Sequence, residues 1–300
     1  MPVQEMLVGA GKPMPQECPE HANSTLKTIL VHVQNDGSAH QRIEAALALA
    51  RAAGAHLSCL HVTPIEAYVA FESFGGVFVM NDVMKAIDDE VARLKTKVEE
   101  ELRGEDVSWD YVPVTGNVVS EIVGHAALAD LIVTGREPAR VELGRPVIGL
   151  LGDLLQRSRT PLFIPGSAPP DPAGSAIIAW DGSYEAANAV RGAVGLLKLA
   201  REVRVVQVSE RAEKKNSFPG TKLLEYLSRQ GIHADLIVES SNAGADNQFV
   251  AASLIAHARA VGNAYVVMGG YGHSRVREYL FGGVTRIMLG EASVPLLISG

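Results

Sequence analysis

The sequence has few of the residues that hold small secreted proteins or cysteine metal sites together. Among its 300 residues there are two cysteines, Cys18 and Cys59, and 5% of the residues are aromatic. Two cysteines so far apart predict neither a disulfide framework nor a cysteine metal site, and they are typical of a reducing compartment. A hydrophobic content of 47% with so few aromatic residues predicts globular cores rich in Ala, Val and Leu.

Excess positive charge and long apolar runs are also missing. The formal net charge is −7, whereas surfaces that bind nucleic acid or anionic membranes are basic. No apolar run reaches the roughly 18–20 residues of a membrane-spanning helix, and the patch at residues 6–8 lacks the length and the basic start of a signal peptide. We therefore expect a cytoplasmic protein that binds neither nucleic acid nor membranes.

The signatures of several enzyme classes are absent as well. The sequence contains no GxxxxGK[ST] phosphate loop, no GxGxxG after the first predicted strand, no GxSxG elbow, no CxxC and no HExxH. Its nine histidines are scattered, and those in predicted strands are more often core residues than metal ligands. No catalytic residue and no metal ligand is predicted, so we expect a protein that is not primarily an enzyme.

The sequence contains an internal repeat, in which one pattern of predicted strands and helices occurs twice. Apolar runs of strand length alternate with helix-length segments, and the closing run at Pro161 recurs at Pro295, 134 positions later. Such alternation predicts a parallel sheet covered by helices. The predicted fold is α/β, with two tandem Rossmann-like domains, each a five-stranded parallel sheet flanked by helices. If the closing strands 162–164 and 296–298 pair with each other, the chain forms an internal pseudo-dimer, and a homodimer of chains is left open.

Proline and glycine mark the borders of the two copies. Residues 1–24 contain four prolines and no periodicity, which predicts a disordered leader. The proline-rich stretch 166–174 predicts a linker. The predicted domain 1 is therefore 25–165 and domain 2 is 175–300.

Glycines near the end of the second copy predict a site for an anion. A predicted strand ends at Gly269, and a helix begins at Gly282 and Gly283. Glycines let backbone N–H groups approach a ligand, and a helix N-terminus adds partial positive charge, so phosphate can bind there. The residues that follow the first and fourth strands of a doubly wound copy face one crevice, which places Asp181 beside this loop.

The spacing of Gly269, Gly272 and Gly282, G-x2-G-x9-G, closely resembles the nucleotide loop of the universal stress protein family. The resemblance covers residues 25–300 and implies an adenine nucleotide alpha-hydrolase-like fold. It also implies contacts of Ala179 and Asp181 with adenine and ribose, and of the Val208 backbone with the base edge. The implied ligand-binding residues are Ala179, Asp181, Val208, Met268, Gly269, Gly272, His273, Gly282, Gly283 and Val284.

Several of these residues have a second interpretation. Asp181 is equally well explained as a turn residue that caps the following helix. A protonated His273 would neutralise phosphate, but a histidine in a glycine loop is more often only solvated. Gly283 stands where the family pattern has Ser or Thr, and the helical offset of Thr285 directs that hydroxyl to a different side.

The first copy departs further from the family pattern. It has Gln34 in place of Asp181, although Asp36 is close enough to serve if the turn is shifted. Its second and third loop glycines are replaced by Pro138 and Ile148, and proline supplies no amide. We therefore expect no ATP binding by domain 1 through this route.

These observations predict a stress-response regulator that binds ATP or another adenine nucleotide in domain 2. Whether Mg²⁺ accompanies the nucleotide is left open, and hydrolysis is at most slow. The alternative is a scaffold that has lost nucleotide binding and acts through protein contacts or an apolar ligand. Its candidate surface is the segment 67–80, rich in phenylalanine around Gly75 and Gly76, which we interpret as a cover over a cleft ahead of a helix predicted over 82–102.

Overall fold

The computed structural model describes residues 24–65, 77–136, 141–142, 145–146, 149–209, 218–240, 246–262, 264–270, 282–291 and 293–300. The first copy contains β1 Thr28–Val33, α1 Ala39–Ala53, β2 His56–Pro64, α2 Val77–Leu102, β3 Trp109–Gly116, α3 Val118–His125, a 3-10 turn Ala126–Leu128, β4 Leu131–Val133, β5 Val141–Glu142, β6 Arg145–Pro146, α4 Leu150–Arg157 and β7 Leu162–Ile164. The second contains β8 Ser175–Ala179, α5 Tyr184–Leu197, β9 Glu202–Ser209, α6 Gly220–Arg229, β10 Ala234–Ser240, α7 Asn247–Ala260, β11 Tyr265–Gly269, α8 Gly283–Gly290 and β12 Leu296–Ser299.

Ten of these strands form one sheet, in the order β10-β9-β8-β11-β12-β7-β4-β1-β2-β3. Neighbouring strands within each half are parallel. Each half is thus a five-stranded parallel sheet, which confirms the predicted α/β fold. The strand order reverses between β1 and β4 in the first half and between β8 and β11 in the second, and ligands of doubly wound sheets bind at such points.

Both faces of the sheet are buried, which explains why the strands read as continuous apolar runs. Ile29 and Val31 belong to the core under α1, α2, α5 and α6, which we call the front face. Leu30, between them, belongs to the core under α3, α4, α7 and α8, which we call the back face. Successive side chains of a strand point to opposite faces, so a single strand contributes to both cores.

The two halves meet where β7 and β12 pair in antiparallel register. Leu296 lies opposite Ile164, and Leu297 lies opposite Phe163. All four side chains are fully buried, and the Phe163 ring packs against the ring of Tyr265 with centroids 6.4 Å apart. The predicted pairing of the closing strands within one chain is therefore confirmed, and each strand covers the other's edge.

Some predicted segments differ from the structure or lie outside it. Helix α2 begins at Val77, so the last residues of the predicted cover segment are helical. Gly76 is the last glycine before the predicted helix, and the short apolar run 77–80 that follows it contains no helix breaker, which explains the earlier start. Residues 66–76 and the predicted leader up to residue 23 lie outside the described residues.

Neither a membrane-spanning helix nor a cluster of metal-binding side chains is present in the described part of the chain. None of its helices combines the length and apolar character that crossing a bilayer requires. Nor do three His, Cys, Asp or Glu side chains gather there as the ligands of a metal ion would.

Replacing Phe163 by Ala tests how strongly the β7–β12 junction holds the fold. The substitution leaves a cavity under Tyr265, and we expect the free energy of unfolding to fall by about 3–5 kcal/mol. Urea denaturation followed by circular dichroism measures the change. Leu128, which is 92% exposed, provides the matched control, since Leu128→Ala should change stability by less than about 0.5 kcal/mol. A loss below about 1 kcal/mol for Phe163→Ala would contradict a tightly packed junction.

Candidate functional site

The candidate site lies in the second half, where β8 and β11 end side by side. Because Val267 pairs with Ile178, the next residues, Met268 and Ala179, are neighbours at the carboxyl edge of the sheet. Both side chains pack on the back-face core, as do those of Val208 at the end of β9 and Val284 in the first turn of α8. The structure therefore brings these four predicted residues together on one side of the sheet.

The N-terminus of α8 lies next to these four residues. Gly282 is its N-cap residue and makes no side-chain cap, and the first intrahelical hydrogen bond runs from Arg286 N–H to the Gly282 carbonyl at 3.1 Å. The first N–H groups of a helix have no intrahelical acceptor, and the helix dipole makes them attractive to an anion. Thr285, two residues further along the helix, is only 5% exposed.

Gly269 is required by packing, whatever the ligand. A Cβ atom at this position would lie 2.7 Å from the carbonyl carbon of Glu185 and 2.8 Å from the backbone nitrogen of Ala186. These are backbone atoms of α5, so relief would require movement of the helix itself. The first glycine of the motif thus lets the end of β11 approach the first turn of α5.

Gly283 is also in close contact, but with a side chain. A Cβ atom there would lie 2.1 Å from Nδ2 of Asn247 and 2.4 Å from its Cγ. Asn247 is the first residue of α7, whose N-cap residue Asp246 accepts a hydrogen bond of 2.7 Å from Phe249 N–H. Helices α7 and α8 therefore begin next to each other. Sequence analysis did not identify Asn247, because no short-range pattern connects it to a glycine 36 positions later.

Asp181 lies in an exposed turn between β8 and α5. Its Oδ1 accepts a hydrogen bond of 2.9 Å from Ser183 N–H, Gly182 has a φ of +74°, and the Ser183 hydroxyl caps α5. Asp181 thus stabilises the turn before α5, which is one of the two interpretations of this residue from the sequence. Among the described residues no hydrogen bond engages Oδ2, so one carboxylate oxygen remains for a ligand hydroxyl. Gly272 and His273 lie outside the described residues.

The matching crevice of the first half contains an arginine. Arg42 on α1 is 3% exposed, and its Nη1 lies 3.0 Å from both carboxylate oxygens of Asp36. Its Nε donates to the His32 carbonyl at 2.9 Å, and its Nη2 donates to the Gln34 carbonyl at 3.1 Å. A Cβ atom at Gly135, the counterpart of Gly269, would lie 2.6 Å from Nη1. The guanidinium therefore occupies the space between the ends of β1 and β4.

Sequence analysis did not single out Arg42, although a signal was available. Arg42 lies in the apolar stripe of α1, between the buried residues Ala39, Ile43 and Ala46. A charge at such a position must be paired when it is buried. Asp36, the alternative to Asp181 in the first copy, pairs with Arg42 and is therefore engaged within the protein.

Burial and pairing shift the titration of this cluster. Burial, helped by the nearby Arg42 charge, lowers the pKa of His32 to about 4. For Asp36, burial alone would raise the pKa, but hydrogen bonds from Arg42 and Ser38 outweigh this effect and hold the pKa below its usual value. At neutral pH the cluster is thus a neutral histidine beside an ion pair.

A second arginine of the first half reaches across to α8. Arg136 follows β4, and its Nη1 donates to the carbonyls of Met288 at 2.9 Å and Leu289 at 2.7 Å. Its Nη2 donates to the Val294 carbonyl at 2.5 Å. Burial lowers the pKa of Arg136 to about 10, so it remains charged at neutral pH and is favourable at a helix C-terminus. The helix that stands over the candidate site is therefore held at its far end by the other half.

Comparison with known proteins agrees with this architecture. Residues 25–162 match the model described as the universal stress protein family. This match assigns the first copy to the universal stress protein family. The matched copy is the one whose crevice contains Arg42, whereas the G-x2-G-x9-G spacing lies in the second copy. No curated protein matches the chain.

Two solved universal stress protein structures extend over both copies. One, from Archaeoglobus fulgidus DSM 4304, is 16% identical, with 92% of this chain and 98% of that chain covered and a TM-score of 0.67. The other, a putative universal stress protein from Pseudomonas aeruginosa UCBPP-PA14, is 17% identical, with 92% and 93% covered and a TM-score of 0.54. At these identities the likeness shows the fold alone.

Replacing Arg136 by Ala tests whether the first half holds α8. The loss of its charge-assisted hydrogen bonds should lower stability by about 2–3 kcal/mol. It should also speed amide hydrogen exchange in 283–290 at least tenfold, measured by mass spectrometry. Arg157→Ala, which removes an exposed arginine bonded to Ser120, is the control. Unchanged exchange in α8 would show that Arg136 does not fix this helix.

The buried histidine predicts a pH dependence of stability. The pKa of His32 is 6.5 in the unfolded chain and about 4 in the folded one, so the unfolded state binds the extra proton first. The free energy of unfolding should therefore fall between pH 6.5 and pH 4, by on the order of 3 kcal/mol from this residue. Denaturation midpoints across this range should decline less steeply for His32→Gln than for the wild type. His233→Gln, at an exposed position, should leave the slope unchanged; equal slopes in all three proteins would refute the assignment.

Proposed function

We propose that the second half binds an adenine nucleotide, with ATP as the leading candidate, and that the chain acts as a stress-response regulator in the cytoplasm. The observation that carries the proposal is the convergence of Ala179, Met268, Gly282 and Gly283 at one switch point of the sheet. Sequence spacing suggested a common site for these residues, and the fold supports it.

The phosphates would bind at the N-terminus of α8. Among the described residues no atom lies within 4 Å of a hypothetical Cβ on Gly282, so they leave space beside the first-turn N–H groups. Such groups bind phosphate because they point at it and share the positive end of the helix dipole. The residues present therefore fit a phosphate group.

The nucleoside would lie along the ends of β8 and β9. The free Oδ2 of Asp181 suits a ribose hydroxyl or the adenine amino group, both of which donate hydrogen bonds. Ala179 is small and leaves room at the end of β8, and the half-buried Val208 offers an apolar surface. The Val208 backbone would supply the polar groups that recognise a base edge, as the family resemblance implies.

Binding without rapid turnover is the activity that these residues favour. Two described carboxylates lie at the crevice. Asp181 is tied into its turn by Ser183 N–H, and Glu185 lies beside Gly269 with a buried Oε2 that has no hydrogen-bond partner among the described residues. No residue in the described part of the crevice is placed as a general base with an oriented partner. We therefore expect hydrolysis to be slow at most, with or without Mg²⁺. Slow hydrolysis suits a regulator that responds to whether nucleotide is bound.

The first half serves a different role in this proposal. Arg42 and Asp36 fill its crevice, so a nucleotide that enters would have to separate the buried guanidinium of Arg42 from its carboxylate partner, which is itself partly exposed. Removing one partner of such a pair leaves an uncompensated charge, which is strongly unfavourable. We therefore assign nucleotide binding to the second half alone.

Gly282→Asp is a sharp test of the phosphate position. Asp is a favourable N-cap residue and the site has space for it, so the fold should persist. Its carboxylate would repel phosphate, and ATP affinity measured by isothermal titration calorimetry should fall at least tenfold. Gly290→Asp places the same charge at the other end of α8, also in open space, and should leave affinity within about threefold of the wild type.

The two negative outcomes of this experiment have different meanings. Wild-type protein that binds neither ATP, ADP nor AMP would refute the proposed function and favour the scaffold alternative. Binding that Gly282→Asp leaves unchanged would place the nucleotide elsewhere in the chain.

A further inference from the structure

The proposed phosphate site lacks a hydroxyl where the family pattern leads us to expect one, and a different side chain fills the vacated space. Gly283 has no side chain, but a Cβ atom there would collide with Nδ2, Cγ and Cβ of Asn247, at 2.1, 2.4 and 3.0 Å. The amide head of Asn247 thus occupies the volume that the side chain of Ser or Thr at position 283 would take. The two positions are far apart in sequence and adjacent in space.

We propose that the Asn247 amide replaces this hydroxyl and donates a hydrogen bond to the nucleotide phosphate. The inference rests on the proposed function and adds a named phosphate ligand from α7. An asparagine side chain carries two N–H donors, and hydrogen bonds to an ionised acceptor are stronger than those between neutral groups. A neutral amide therefore supplies the interaction that the glycine at 283 cannot.

The amide is positioned by elements that are themselves well packed. Asp246 caps α7 through Phe249 N–H, which fixes the residue that follows the cap. Further along α7, Leu254 packs in the same back-face core as Met288 of α8. Because α7 and α8 are packed together, the distance between Asn247 and the start of α8 is set by the core and not by the ligand.

The donors of Asn247 are also available. The residue is exposed, and its amide forms no hydrogen bond with another residue in the described part of the chain. An asparagine serving only to fill space beside a glycine would need no donor and no access to solvent. Exposure with free donors is what a ligand contact requires.

Position 283 offers a matched pair of variants. The two closest atoms, Nδ2 and Cγ of Asn247, move when its side chain rotates, so a side chain at 283 pushes the amide aside, and the contact with Cβ at 3.0 Å requires only a small shift. Gly283→Ala displaces the amide and supplies no donor. Gly283→Ser displaces it equally and supplies the hydroxyl. The two variants share their steric effect and differ only in the hydrogen-bond donor.

The experiment measures the affinities of full-length protein for ATP and for adenosine, which has no phosphate. We expect Asn247→Ala and Gly283→Ala to weaken ATP binding about tenfold or more and to leave adenosine binding within about twofold. Gly283→Ser should bind ATP within about threefold of the wild type. Thermal unfolding of each variant checks that the fold is kept.

The outcomes separate the inference from the function on which it rests. A wild-type protein with no affinity for ATP would refute the proposed function itself. A wild-type protein that binds ATP, together with an Asn247→Ala variant of the same affinity, would overturn the inference alone. Equal weakening of ATP and adenosine in Asn247→Ala would also overturn it, because the residue would then act on the shape of the site and not on phosphate.

Discussion

The antiparallel pairing of β7 with β12 is the contact on which the rest of the architecture depends. It joins two parallel half-sheets into one and buries both closing edges, with Phe163 opposite Leu297 at its centre. It also places each half's helices within reach of the other. Arg136 reaches the C-terminal carbonyls of α8, and Leu155 of α4 lies 3.2 Å from a hypothetical Cβ on Gly270, the counterpart of Arg136. The same topological position thus carries an arginine in one half and a glycine in the other.

That asymmetry extends to the two crevices. In the first half a buried guanidinium must be paired, and Asp36 and the carbonyls around it meet that requirement by closing the switch point. Counting from the cap residues Ser38 and Ser183, the position of Arg42 corresponds to Ala187 in the second half. With a methyl group there, the second crevice needs no internal counter-ion. The exchange of arginine for alanine at this helix position therefore accounts for one of the differences between the two crevices.

Much of the fold could be predicted from the sequence, because both faces of a parallel sheet must be apolar and this leaves apolar runs, such as 29–33, that recur in the second copy. The pairing of the closing strands followed from their similarity. The contents of the crevices could not be predicted in the same way. Arg42 gives a local signal, a charge in an apolar stripe, but its partner set is formed by turns and strand ends from separate parts of the chain. The two-residue strands β5 and β6 are too short for any periodicity to show.

Asn247 illustrates a more general limit of motif reading. When the sequence is compared with the family pattern position by position, Gly283 counts as the loss of a hydroxyl group. Such a comparison assumes that each function stays with one sequence position. In the folded chain, any residue that reaches a given place can supply the contact needed there. Residues of α7 and α8 both reach the space beside the start of α8. A side chain deleted from one helix leaves space that a residue of the other can enter, provided that packing holds the helices in place. Arg136 at the far end of α8 and Leu254 beneath it provide that constraint. Under the proposed function, the chemistry of the phosphate site thus persists while the residue that supplies it lies on another element.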